Sequence, residues 1–178
     1  MRIHFRTIQS EDIAEIQDYW LNPANLAYHL KRGAEPEHIQ RLIGQWGVLE
    51  KQAATPLAER TSSTAIVLLN GAPVGHSVLN EIYAPEKQRM HLHIWRGRIK
   101  FADLTGPRRM LNAAIPAALQ HFFDNFSVMQ ITGEVAARNA LFNLVLQRLG
   151  FRPRETVLTQ YLSSTAEPYY RYIFGRKV

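Results

Sequence analysis

The sequence predicts one α/β domain: a mixed, mostly antiparallel sheet of about seven strands with helices on both faces. Three observations predict it. Short segments alternate apolar and polar residues with a period of two. Longer segments repeat apolar residues at helical spacing. The two kinds follow in the order strand, helix, helix, three strands, helix, strand, helix, two strands. Three consecutive strands make an antiparallel meander, and the strand–helix–strand units after it require parallel neighbours and helical cover.

His4 to Ile8 reads as the first strand. Ser10 is placed to cap the next helix, with Glu11 and Asp12 suiting its positive end. Ile13, Ile16 and Trp20 give that helix one apolar face, and Asn22-Pro23 breaks it. A second helix is expected from Pro36 to about Glu50, with Ile39, Leu42, Ile43 and Trp46 on one face. Lys51 to Ser63 and Pro85 to Gln88 read as loops.

Thr64 to Leu69 is a β-branched apolar run ended by Asn70-Gly71, a tight-hairpin signal, and Val74 to Glu81 returns as its partner. Arg89 to Arg96 alternates Met90, Leu92 and Ile94 with His91, His93 and Trp95. Thr105-Gly106-Pro107 opens a helix whose buried stripe is Leu111, Ala114, Ile115, Ala118 and Phe122. Pro116 inside it removes a hydrogen bond and bends the axis. Ser127 to Val135 is the next strand. Asn139 to Leu149 is a helix with Phe142, Val145, Leu146 and Leu149 on one face, and Gly150 terminates it. Phe151 to Tyr161 and Tyr169 to Phe174 complete the sheet.

With 178 residues, the chain suits one domain over 1–178. There is no cysteine, which excludes disulfides, zinc–thiolate sites and a cysteine nucleophile. No metal site is expected. Met1 to Gln9 does not read as a secretory signal, no apolar run would span a bilayer, and the expected compartment is the cytoplasm. The formal charge of +6 favours anionic partners in general. Arg96, Arg98, Lys100, Arg108 and Arg109 concentrate it in one stretch.

The segment from Asn139 to Gly150-Phe151 resembles motif B of the GNAT N-acetyltransferase superfamily, in which an asparagine opens a helix ending in leucine-glycine-phenylalanine. The hairpin with Asn70-Gly71 and Pro73-Val74-Gly75 is similar to the family's second and third strands. Trp20-Leu21-Asn22-Pro23 resembles the branch that includes the ribosomal-protein N-terminal acetyltransferases. Motif A departs from the pattern. With Gly106 at its last position, Phe101 stands at the Arg/Gln position and Leu104 at the first glycine. Only one glycine of the phosphate cradle is kept.

The resemblance implies an acyltransferase that moves an acetyl group from acetyl-coenzyme A to a primary amine: a protein N-terminus, a lysine or a small amine. It implies donor contacts at Ile94, Trp95, Arg96, Arg98, Thr105, Gly106, Arg108, Arg109, Asn139 and Phe142. Arginines would replace lost backbone contacts to the phosphates by charge-assisted hydrogen bonds. Asn139 would bond the donor's pantetheine arm or cap its own helix.

For the chemistry, His91 and His93 lie on the same face, and a histidine can take a proton at neutral pH; His93 ranks first as general base because it is nearer the end where the donor is expected. Both could instead cover sheet surface beside Trp95. Glu134, ending the fifth strand, could bind the acceptor amine, act as base, or be a solvated strand end. The family's tyrosine acid would fall at Leu146, so no acid comes from there, and Tyr161 is a possible substitute. Tyr169-Tyr170-Arg171-Tyr172 reads as core at strand periodicity or as a base-stacking surface. Two other functions fit the sequence: a non-catalytic module binding an acidic protein or nucleic acid through its basic face, and an enzyme using another acyl or aminoacyl donor. A homodimer through strand edges is compatible with it.

Overall fold

The structure is a computed structural model and describes residues 2–31, 36, 37, 40, 46–84, 89–94, 105–159 and 166–176. The strands are β1 (Ile3–Thr7), β2 (Ser63–Leu69), β3 (Ala72–Asn80), β4 (Arg89–Ile94), β5 (Gln130–Ala136), β6 (Pro153–Thr159) and β7 (Glu167–Gly175). They form one sheet in the order β1-β2-β3-β4-β5-β7-β6. Every neighbouring pair is antiparallel except β4 and β5. The helices are α1 (Ser10–Leu21), α2 (Pro23–Lys31), α3 (Trp46–Ala54), α4 (Thr105–Asn125) and α5 (Ala140–Arg148). The mixed, mostly antiparallel seven-stranded sheet is the expected one. None of the described helices is long and apolar enough to cross a membrane.

The cap of α1 is Gln9, one residue before the expected Ser10. Asp12 decides this. Its Oδ2 accepts the Gln9 backbone N–H at 2.8 Å, and its carboxylate takes two Arg6 nitrogens at 2.5 and 2.6 Å. Asn22-Pro23 ends α1, and a new helix starts there at once. The Asn22 side chain accepts the Ala24 N–H at 3.0 Å, and proline's fixed φ suits a first turn.

Residues 38, 39 and 41–45 of the helix expected over 36–50 lie outside the described residues, and 36, 37 and 40 are helical. Its described end, α3, runs on through Ala54 into a stretch expected to be loop. Tertiary bonds hold that extra turn. Gln52 Oε1 accepts the Thr64 N–H at 2.8 Å, and Gln52 Nε2 donates to Ser62 Oγ at 3.0 Å. The Asn70-Gly71 hairpin forms as expected, with φ of 51° and 90° in the left-handed region such a turn requires.

One face of the sheet packs Ala65, Leu79, Met90, Ile131, Tyr172 and Phe174 against Ile115, Ala118 and Phe122 of α4 and Val145 and Leu146 of α5. The other packs Ile66 against Ile8, Ile13, Ile16, Tyr19 and Trp20 around α1. The stripes read for α1, α4 and α5 face the core, with Leu111, Phe142 and Leu149 partly buried at its edge, while the burial of the stripe Ile39, Leu42, Ile43 and Trp46 lies outside the described residues. Pro116 lies on the exposed side of α4, where the carbonyl it leaves unbonded can meet water. Tyr169 and Tyr172 are both buried, on opposite faces of β7, and Tyr170 is partly buried, so the segment serves the core on both sides of the sheet and not by alternate tyrosines alone.

Candidate active site

The β4–β5 pair is the weak seam of the sheet. The β2–β3 ladder runs from Ser63 opposite Leu79 to Leu69 opposite Ala72, whereas among the described residues β4 and β5 share one residue pair, Arg89 opposite Thr132. Past that pair each strand follows its antiparallel partner, β4 with β3 and β5 with β7, and the two part toward their C-terminal ends. Helix α4 follows β4, and α5 follows β5, so both helix N-termini lie at the end where the strands part. In open α/β sheets ligands bind outside the carboxyl ends of parallel strands.

The site residues read from the sequence fall around this opening. His91 and His93 are opposite Val78 and His76 in the β3–β4 register. Two residues beyond the Arg89–Thr132 pair come His91 on β4 and Glu134 on β5. The side chains of His91, His93, Ile94 and Thr105, and the whole of Trp95, Arg96, Arg98 and Tyr161, lie outside the described residues. Gly106 and Arg108 are half-buried and Arg109 is exposed in the first turn of α4. Arg108 Nε and Asn112 Oδ1, one turn apart, are both buried without a hydrogen-bond partner among the described residues. Asn139 caps α5, its Oδ1 accepting the Phe142 N–H at 3.3 Å. Phe142 packs partly buried on the core.

Glu134 is neither free nor a solvated strand end. Its side chain is 6% exposed. Oε1 accepts from Arg171 Nε at 3.0 Å, sits 2.9 Å from Arg171 Nη2, and lies 3.8 Å from Arg89 Nη1. Arg171 Nη1 in turn donates to Glu155 Oε1 at 2.5 Å. The hydrogen bond to Glu134 is the chief cause that raises the Arg171 pKa above its ordinary value, against the opposing effect of burial. The network joins β4, β5, β7 and β6 at the mouth of the opening.

Asn143 is a structural residue beside the opening that sequence reasoning missed. It is buried, and its Nδ2 donates to the carbonyls of Ala136 and Asn139, each at 3.0 Å. Its Oδ1 accepts the Tyr172 hydroxyl at 2.9 Å. One amide thus fixes the end of β5, the start of α5 and the middle of β7. The available signal was a polar residue one turn before Leu146 on an apolar helix face. Leu146 itself is 1% exposed in the core, a hydrophobic role. Arg171 and Arg89 were also missed, because nothing local in the sequence places β7 beside β5.

No family model matches the sequence, and no curated protein matches it either. Solved structures do. The chain is similar to the spermidine N-acetyltransferase from Vibrio cholerae in complex with CoA and spermine, with a TM-score of 0.68 at 15% identity over 97% of this chain and 95% of that one. It is similar to the microcin C7 self-immunity acetyltransferase in complex with acetyl-CoA and AMP, with a TM-score of 0.70 at 13% identity over 98% and 92%. A third is the ribosomal L7/L12 alpha-N-protein acetyltransferase in complex with coenzyme A, with a TM-score of 0.69 at 13% identity over 97% and 93%. The resemblance read in the sequence is thereby borne out in three dimensions: this chain has the GNAT acetyltransferase fold.

Proposed function

We propose that the chain is an N-acetyltransferase that moves an acetyl group from acetyl-coenzyme A to a primary amine. The observation that carries this reading is the parting of β4 and β5 at the end where two helices begin. The three similar proteins, each with coenzyme A or acetyl-CoA in its complex, support it.

The residues fit such a donor. The N-terminus of α4 presents backbone amides, and Arg108 adds a half-buried guanidinium whose Nε has no described partner. In this reading Thr105, Gly106, Arg108 and Arg109 hold the phosphates, with Arg96 and Arg98 adding charge. Ile94, Trp95, Asn139 and Phe142 line the arm.

When bound, the donor supplies an activated acetyl thioester. The acceptor nitrogen bonds to its carbonyl carbon, the carbon–sulfur bond breaks, and the departing thiolate takes up a proton. The chain must hold the amine, remove its proton and exclude water. Glu134, with Oε2 bearing no described contact, takes the ammonium or its proton. His93 and His91 are the alternative bases on β4.

Calorimetric titration with acetyl-CoA at two salt concentrations tests the reading. The expected result is micromolar binding, weakened about tenfold or more on changing Arg108 and Arg109 to alanine, since each lost charge-assisted bond costs about 1.5–3 kcal/mol. Release of free coenzyme A is then followed with spermine and peptides with free N-termini as acceptors. No binding at millimolar acetyl-CoA at either salt overturns the reading.

A further inference from the structure

We infer that Arg171 is a positioning residue for acetyl transfer: it holds Oε1 of Glu134 so that Oε2 faces the acceptor amine. This rests on the proposed reading of Glu134 as the group that meets the amine. Each described contact of Glu134 ends on Oε1, two from Arg171 and a longer one from Arg89. A carboxylate anchored through one oxygen keeps a fixed plane, and its second oxygen has one direction left to present.

Arg171 is itself held. Its Nη1 is taken by Glu155 on β6, and its backbone is paired to β5 opposite Glu134 and to β6 opposite Glu155. The guanidinium is therefore clamped on two sides, as a planar fork allows and a lysine ammonium does not. Arg89 reaches in from β4, across the seam, and is 48% exposed on its side chain. Together Glu134, Glu155, Arg171 and Arg89 carry two formal charges of each sign, so the cluster brings no net charge that repels an incoming ammonium.

A merely structural ion pair and a positioning one differ in what they do to catalysis. A structural pair, once broken, lowers the melting temperature, and its effect on rate adds to that of any other change. A positioning contact acts through Glu134, so it has nothing left to do once Glu134 is gone.

The experiment is a double-mutant cycle of Glu134→Gln and Arg171→Gln, assayed on the acceptor of the panel with the highest turnover, each variant below its own melting temperature. Glu134→Gln is expected to lower kcat by about a hundredfold or more. Arg171→Gln is expected to lower kcat by about ten- to a hundredfold, with the KM for acetyl-CoA unchanged, since a misplaced catalytic group is severely penalised. The double variant should be no slower than Glu134→Gln, within about threefold. Arg171→Lys, which keeps the charge but loses the fork, should recover only part of the rate. It also serves if the glutamine variant fails to fold.

Multiplicative losses in the double variant, or full activity in Arg171→Gln with Glu134→Gln inactive, overturn the positioning role alone. Full activity in Glu134→Gln removes the reading on which it rests, as does an acceptor panel without turnover.

Discussion

The half of the sheet from β1 to β4 and the half from β5 to β6 are built alike, yet the seam between them is not. Within each half, strands are zipped by long antiparallel ladders. Between the halves one pair of described residues joins β4 to β5. The stability of the fold therefore lives inside the halves and in the helices that cover both. The groups that gather at the seam are the ones a core would not choose: a buried carboxylate, two arginines and an asparagine with both ends of its amide engaged.

This contrast predicts a separation of effects. The largest is in the core that spans the halves. Phe122→Ala, deleting a fully buried ring beneath the sheet, should destabilise the fold by about 3–5 kcal/mol, read as a lower urea midpoint. Acetyl-CoA affinity of the folded variant should stay near that of the parent. A large loss of affinity without loss of stability would break the comparison, by showing that the seam depends on the core's shape.

A second prediction sits inside the β1–β4 half, at His76 of β3. Burial drives its pKa from the ordinary 6.5 down to about 4, so the folded imidazole is neutral near pH 7. Between pH 6.5 and 4 the unfolded chain binds a proton that the folded chain refuses. Stability is accordingly full above 6.5 and falls as the pH drops toward 4, by about 3 kcal/mol in all. His121, also lowered by burial, acts in the same direction. Unfolding free energies from pH 7 to 4 should fall less steeply in His76→Gln than in the parent. Equal slopes would show that His76 does not set the acid limit of this half.

How much of this was legible depended on how local each cause is. The Asn70-Gly71 turn and the stripes of α4 and α5 are local patterns, and they fold as read. The extension of α3 was missed because Gln52 reaches a strand ten or more residues away, which no propensity encodes. Helix α2 was missed because Asn22-Pro23 was read as a stop only, although the same two residues start a helix well. At the site, the positions of Glu134, Asn139 and Arg108 were legible, but not what they touch. The partner of Glu134 comes from β7, the last strand in sequence, which inserts between β5 and β6. That insertion is a property of the whole sheet. Without it Glu134 reads as a solvated end; with it Glu134 becomes the centre of an ion network.

The smallest predicted effect sharpens the comparison most, because it probes the seam from inside. Gly133 lies one residue past Thr132, where β4 and β5 begin to part. A Cβ there would meet Phe174 Cε2 at 3.0 Å and the Met90 carbonyl at 3.9 Å. The first contact is too close and the second is ordinary. Phe174 cannot swing freely, since its ring meets Phe151 edge-on at 4.7 Å and stacks on Tyr172 at 6.4 Å. The strain of Gly133→Ala therefore falls on the β5–β7 half and not on β4. The expected outcome is a loss of about 1 kcal/mol of stability, with acetyl-CoA binding unchanged. If binding weakens by more than about threefold (a change near 0.7 kcal/mol) while stability holds, then the added methyl has moved β4, and the seam is a packed contact and not an opening held apart by its neighbours.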